Sequence, residues 1–172
     1  IENAASHLAG AGCVVGHVTL PTEFAELTPA REVVNDYERA RSMADEWNSH
    51  REAISKRMQQ SIVNGLALTH EKYAAAMRCI ERCVTQLDGV FEGYDALLTP
   101  TANGFAPEGL EQTGDHGFQS IWTMMGTPAI TLPTHIAANG LPVGIQLVGQ
   151  TGQDNPLLAS ARWVMDLLGP WR

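Results

Sequence analysis

The sequence predicts an α/β fold, a mixed β-sheet covered by helices, and three features carry that prediction. Short apolar or β-branched runs closed by proline or glycine stand between longer stretches of helical periodicity. Two of those runs flank Asn139-Gly140, a hairpin signal. Tyr73, Met77, Ile80, Val84, Leu87 and Phe91 repeat at intervals of four, three, four, three and four, which is the stripe of an amphipathic helix.

The elements follow in order. The chain starts Ile1-Glu2-Asn3 without an initiator methionine and opens inside a helix, so it is expected to have been cut from something longer. Ala4, Ala5, Leu8 and Ala11 form that helix's apolar stripe, and Gly10 and Gly12 stop it. Cys13–Leu20 is rich in β-branched residues and ends at Pro21, which predicts a strand. From Thr22 to about Gly65 the pattern is helical. Thr28-Pro29 reads there as cap and first residue, and Val33, Tyr37, Ala40, Ala44 and Trp47 line a narrow apolar face. Its wide polar face marks an outer helix.

Thr69-His70-Glu71 starts the next helix, which carries the Tyr73–Phe91 stripe to Gly89 or Gly93. Asp95–Thr99, closed by Pro100, reads as a buried strand. Residues 101–116 form a long polar loop of the kind that carries function. Asp115 is placed to cap a short helix bearing Phe118, Ile121, Trp122 and Met125. Pro128–Pro133 and Pro142–Val148 are the hairpin strands. A closing amphipathic helix begins near Asn155-Pro156 with Leu157, Leu158, Ala161, Val164, Met165 and Leu168. No internal repeat appears, and the length of 172 residues suggests a single domain over 1–172.

Composition narrows the class. Apolar residues are 44% and charged residues 17%, a globular mix. The net charge of -8, from 19 acidic and 11 basic residues, speaks against a nucleic-acid partner, which would need a basic surface. No apolar run reaches membrane-spanning length and no signal peptide leads the chain, so no membrane partner is expected. Cys13, Cys79 and Cys83 cannot all pair within the chain, which suits a reducing cytoplasmic setting. Cys79 and Cys83, four apart on a helix, read as small buried groups.

Chemistry is hard to find in the residues themselves. The six histidines, His7, His17, His50, His70, His116 and His135, show no metal-binding spacing, and no other cluster completes a metal site. There is no G-x-S-x-G elbow and no glycine-rich phosphate loop, so neither a catalytic residue nor a cofactor is assigned. His116 is the one histidine in the long loop. Glu108 and Glu111 solvate the same loop, and Arg51, Lys56 and Arg57 beside Glu52 form an exposed helical face.

Three blocks nevertheless resemble a known family. Tyr94-Asp95-Ala96-Leu97-Leu98-Thr99-Pro100-Thr101-Ala102 resembles the C-terminal part of the amidase signature family. Trp122-Thr123-Met124-Met125-Gly126-Thr127-Pro128-Ala129-Ile130-Thr131-Leu132-Pro133 is similar to its G-x-P-A segment. Asn139-Gly140-Leu141-Pro142-Val143-Gly144-Ile145-Gln146-Leu147-Val148-Gly149 is similar to its GLPxG segment. Their order and spacing make the resemblance specific from Tyr94 onward.

The resemblance implies the C-terminal portion of a longer amidase. It implies carboxamide cleavage by a serine nucleophile through an acyl-enzyme, with a second serine and an unprotonated lysine as base. No Gly-Gly-Ser-Ser-Gly run occurs here, so none of those catalytic residues lies in this chain, which is expected to be inert alone. Thr101, Phe118, Ile121, Trp122 and Met125 are the implied substrate contacts, with plain core packing as the competing role for Trp122 and its neighbours. The implied partners are the N-terminal portion of the same enzyme and a small-molecule amide; a homodimer also fits. Two alternatives stand beside a simple amidase. One is an amidotransferase A-type subunit releasing ammonia from glutamine, and the other a non-catalytic binding domain built on the same half-fold.

Overall fold

The computed structural model describes residues 1–169. The chain divides into two compact units, residues 1–21 with the chain from residue 86 onward, and residues 22–85. The expected single domain over 1–172 also takes in residues 170–172, which lie outside the described residues.

The first unit is built on a three-stranded sheet. Its strands are β1 (Leu97–Pro100), β2 (Ala129–Ile136) and β3 (Pro142–Val148), in the order β1-β3-β2. β3 pairs antiparallel with both neighbours. β1 and β2 therefore run in the same direction, but with β3 between them no parallel pair forms. The fold is the expected α/β class of helices around a sheet, although the sheet within the described residues is antiparallel rather than mixed.

Alternation along the strands sorts their side chains into rows on the two faces of this sheet. Leu98, Leu147 and Ile130 share one row across it, and Pro100, Ile145 and Leu132 another. Apart from Pro100, the residues of those rows pack with Ala4 and Leu8 of α1 (Glu2–Gly10) and with Leu157, Ala161 and Val164 of α8 (Asp154–Leu168). The opposite face carries the polar row Thr99, Gln146, Thr131 and, next to it, the apolar row Leu97, Val148, Ala129, in which Val148 is fully buried. Gly144 sits under Thr131 on that side, since a Cβ there would lie 2.8 Å from the Thr131 methyl group.

The hairpin forms where Asn139-Gly140 places it. Gly140 N–H donates to Ala137 C=O and Ala137 N–H to Leu141 C=O, and only Gly140 takes a positive φ, 79°. The Asn139 carboxamide oxygen accepts from Leu141 N–H instead of its backbone turning left-handed.

Cys13–Leu20 is not a strand: the segment carries no regular secondary structure. Val14 is 93% exposed and Val15 is also exposed, and no described strand lies alongside to complete a ladder. β-branched residues favour a strand only where pairing and packing are supplied. The segment is held at Cys13, whose N–H donates to Leu8 C=O, and at Gly16, which Tyr94 covers so closely that a Cβ there would clash with the phenolic oxygen.

The second unit is helical. A 3-10 turn (Thr22–Glu26) leads into α2 (Leu27–Ser42), followed by α3 (Ala44–Ser49), a short 3-10 turn (Arg51–Ala53), α4 (Lys56–Ala67) and α5 (His70–Val84). α2 begins ahead of the expected Thr28 cap. Pro29 is tolerated because first-turn N–H groups have no helical acceptor to lose. The helical stretch expected to about Gly65 is broken after Ser42 and again around His50–Ser55. There Ser55 caps α4 by accepting from Met58 N–H, and the Gln59 amide ties back to the Ile54 and Arg51 carbonyls.

α4 lies backbone to backbone against α2 at Gly65, where a Cβ would be 1.8 Å from the Asp36 carbonyl oxygen. The Asp36 carboxylate accepts from the Ser61 hydroxyl and the Asn64 amide across the same contact. α5 starts as expected, with the Thr69 hydroxyl accepting from Lys72 N–H. Its buried face is Ala76, Cys79, Ile80 and Cys83, so the two cysteines are core residues, while Val84 of the expected stripe is exposed. The stripe is also cut at Thr85, whose hydroxyl donates to Arg82 C=O, and resumes in α6 (Leu87–Phe91) of the first unit.

Candidate substrate-contact site

The site grows from the end of β1. Proline at position 100 closes the strand, and Thr101 follows half-buried, its hydroxyl oxygen shielded and without a hydrogen-bond partner among the described residues. A shielded hydroxyl without a partner is costly in a folded chain.

The loop over residues 101–116 then turns three times through left-handed glycines, Gly104, Gly109 and Gly114, with φ of 80°, 84° and 85°. Two of these turns throw an apolar side chain into solvent: Phe105 and Leu110, the latter fully exposed. At the loop's end the Asp115 carboxylate accepts from Gly117 N–H at 2.8 Å and faces the Asn103 amide at 3.5 Å. Asp115 thus closes a local turn at the entry to α7 (Gly117–Met124) instead of capping it as expected, since the boundary residue is His116, which has no side-chain cap bond.

The five sequence candidates divide by accessibility. Phe118 is exposed, Ile121 and Thr101 are half-buried, and Trp122 and Met125 are 2% and 3% exposed. Trp122 and Met125 are packing groups of this unit, whereas Phe118 and parts of Ile121 and Thr101 are open to solvent. The turn after α7 is secured where Thr127 donates both its N–H and its hydroxyl to the Trp122 carbonyl. His116 is exposed beside Asp115, and Glu108 and Glu111 are exposed on the loop.

Sequence reasoning missed Gln146 and Thr99. Gln146 is 4% exposed in the middle strand, and its amide donates to the Thr99 hydroxyl at 3.0 Å and faces the Phe118 carbonyl at 3.4 Å. The signal was present as a single carboxamide among Ile145, Leu147 and Val148. Only the strand register, which sets Thr99 opposite Gln146, shows what the amide is for.

This arrangement defines a class: an α/β domain with one sheet face packed under helices and the other bordered by a polar row, a glycine-hinged loop and a short apolar helix. The amidase family model matches residues 1–158, and the chain belongs to that family. The A-type component of glutamyl-tRNA(Gln) amidotransferase from Xanthobacter autotrophicus is 27% identical over 85% of this chain and 31% of its own length. Its mitochondrial counterpart from Mus musculus is 33% identical over 55% of this chain and 20% of its own. The chain thus spans less than a third of either relative. Among solved structures, an amidase crystal structure superposes with a TM-score of 0.87 at 28% identity, covering 98% of this chain and 41% of that one. A bacterial aryl acylamidase of the amidase signature enzymes shares the fold at a TM-score of 0.72, with 18% identity over 98% of this chain and 41% of its own. No described helix is long and apolar enough to cross a membrane.

Proposed function

We propose that this chain is the C-terminal portion of an amide-bond hydrolase and forms one wall of its acyl-binding pocket. In this reading a serine nucleophile, a bridging serine and a lysine base come from the N-terminal portion of the same enzyme, and a small carboxamide is the substrate. The observation that carries it is the close superposition on an amidase over nearly all of this chain at 28% identity. The unpaired, exposed Val14 and Val15 and the solvent-facing Phe105 and Leu110 support a missing neighbour and a ligand-facing loop respectively.

The test is hydrolysis of simple anilides by the full-length protein and by residues 1–172 alone. The full-length protein is expected to turn them over, and the shorter chain to show none. Turnover by residues 1–172 that survives stringent purification would overturn the placing of catalysis elsewhere.

A second reading, an amidotransferase component of the A type that hydrolyses glutamine, is favoured by the relatives' names. It would call for an acidic group near α7 to hold the amino acid. Asp115 stands there, but its carboxylate is engaged by Gly117 N–H. Glutamine hydrolysis with no anilide turnover would select this reading over the first.

A further inference from the structure

We propose that Gln146 is a positioning residue that holds the end of β1 and the first turn of α7 at a fixed spacing and so sets which acyl groups the wall accepts. This rests on the reading of the wall as an acyl contact. A carboxamide in the middle of a buried strand is costly unless its donors are used, and an aliphatic side chain would fill the same space. Both N–H groups of the Gln146 amide have acceptors within reach, one on each side of the candidate site. Thr99 lies two residues before Thr101, and Phe118 is the second residue of α7. A carbonyl has two lone pairs, so Phe118 C=O can serve the helix and receive Gln146 as well.

The far end of α7 is held by the buried Trp122 and Met125 and by Thr127, but at its first turn the other links across this gap are weak. The covalent connection is the loop over 101–116 with its three left-handed glycines, which cannot transmit a fixed distance. The Asn103–Asp115 contact across the loop is exposed, so water competes for both groups, whereas the Gln146 contacts are part-buried. α7 has eight residues, too few to hold its place by helix propensity. The buried amide is therefore the cross-brace, and Phe118 moves with the carbonyl it holds.

The test uses the full-length protein with Gln146→Met, which keeps length and removes both donors, Thr99→Val, which removes one acceptor, and Thr99→Ser, which keeps it. Hydrogen exchange is read over residues 97–104 and 117–126, and KM and kcat over anilides of increasing acyl size. Gln146→Met is expected to speed exchange in both segments by about fivefold or more, leaving α1 and α8 unchanged. Thr99→Val should do so in the first segment, Thr99→Ser should match the parent, and the Gln146→Met/Thr99→Val pair should be no worse than Gln146→Met alone. KM should rise for the larger acyl groups with kcat within about twofold.

Unchanged exchange over 117–126 in a folded Gln146→Met protein would overturn the brace. So would faster exchange throughout the unit, or an equal change in KM for every acyl size. Should Gln146→Met fail to fold, Thr99→Val against Thr99→Ser tests the β1 end, and equal exchange over 97–104 in the two would overturn the brace. If the parent protein hydrolyses no amide, the functional reading falls while the exchange data still decide the brace.

Discussion

Single residues in this chain show their chemistry through what surrounds them. Cys83 is buried on α5 with its thiol against the Glu23 carbonyl, and burial, with Cys79 adding, pushes its pKa from the usual 9.0 to about 11. In the window between those values the folded thiol keeps a proton that the unfolded chain has lost. Stability is therefore expected to be undiminished below pH 9 and to fall as pH rises from there towards 11. Urea midpoints measured across that range should show the fall, and Cys83→Ala should flatten it. Tyr73, whose phenol donates to Glu38 and is raised by that bond first, should leave a residual slope of the same sign in the variant. An identical slope in Cys83→Ala and the parent would assign the effect elsewhere. Asp115 and Gln146 show how differently residues read from sequence. Asp115 acts within two residues of itself, so its place at the helix entry was legible although the boundary falls at His116, whereas Gln146 acts on a partner 47 positions away and was not legible.

At the scale of elements, local signals succeeded where the hydrogen-bond partner is nearby in sequence. The Thr69 cap, the Gly140 turn and the proline-bounded strands β2 and β3 all belong to this kind. They failed at Cys13–Leu20 and within the long helical stretch, because a strand needs a neighbour and a helix boundary depends on which face the neighbours bury. Gly65 is the clearest element-scale case, since its missing side chain lets α4 approach the Asp36 carbonyl of α2. Gly65→Ala is expected to lower unfolding free energy by about 2–3 kcal/mol, as overpacking at a rigid contact does, despite alanine's better helix propensity. Chemical denaturation would measure it, and a stabilised Gly65→Ala protein would show that the two helices can part at no cost.

At the scale of the whole chain, the first unit leaves several large apolar groups open to solvent: Val14, Val15, Phe105, Leu110, Leu158 and Trp163. Residues 1–172 prepared alone are expected to self-associate, and Val14→Lys with Val15→Lys should shift the population towards monomer. Sedimentation velocity decides this, and a monomer over the working concentration range before any substitution would count against it. The sequence by itself determined the family and most of the elements, because three spaced blocks and the period of the apolar residues are properties of the chain read in order. Tertiary structure alone decided that Thr99, Gln146 and Thr131 fall in one row, that Trp122 and Met125 are buried while Phe118 is open, and that Gln146 reaches both β1 and α7. Burial and hydrogen-bond partners across long sequence separations arise only when strands take their register and helices settle on them, and no local pattern encodes that distance.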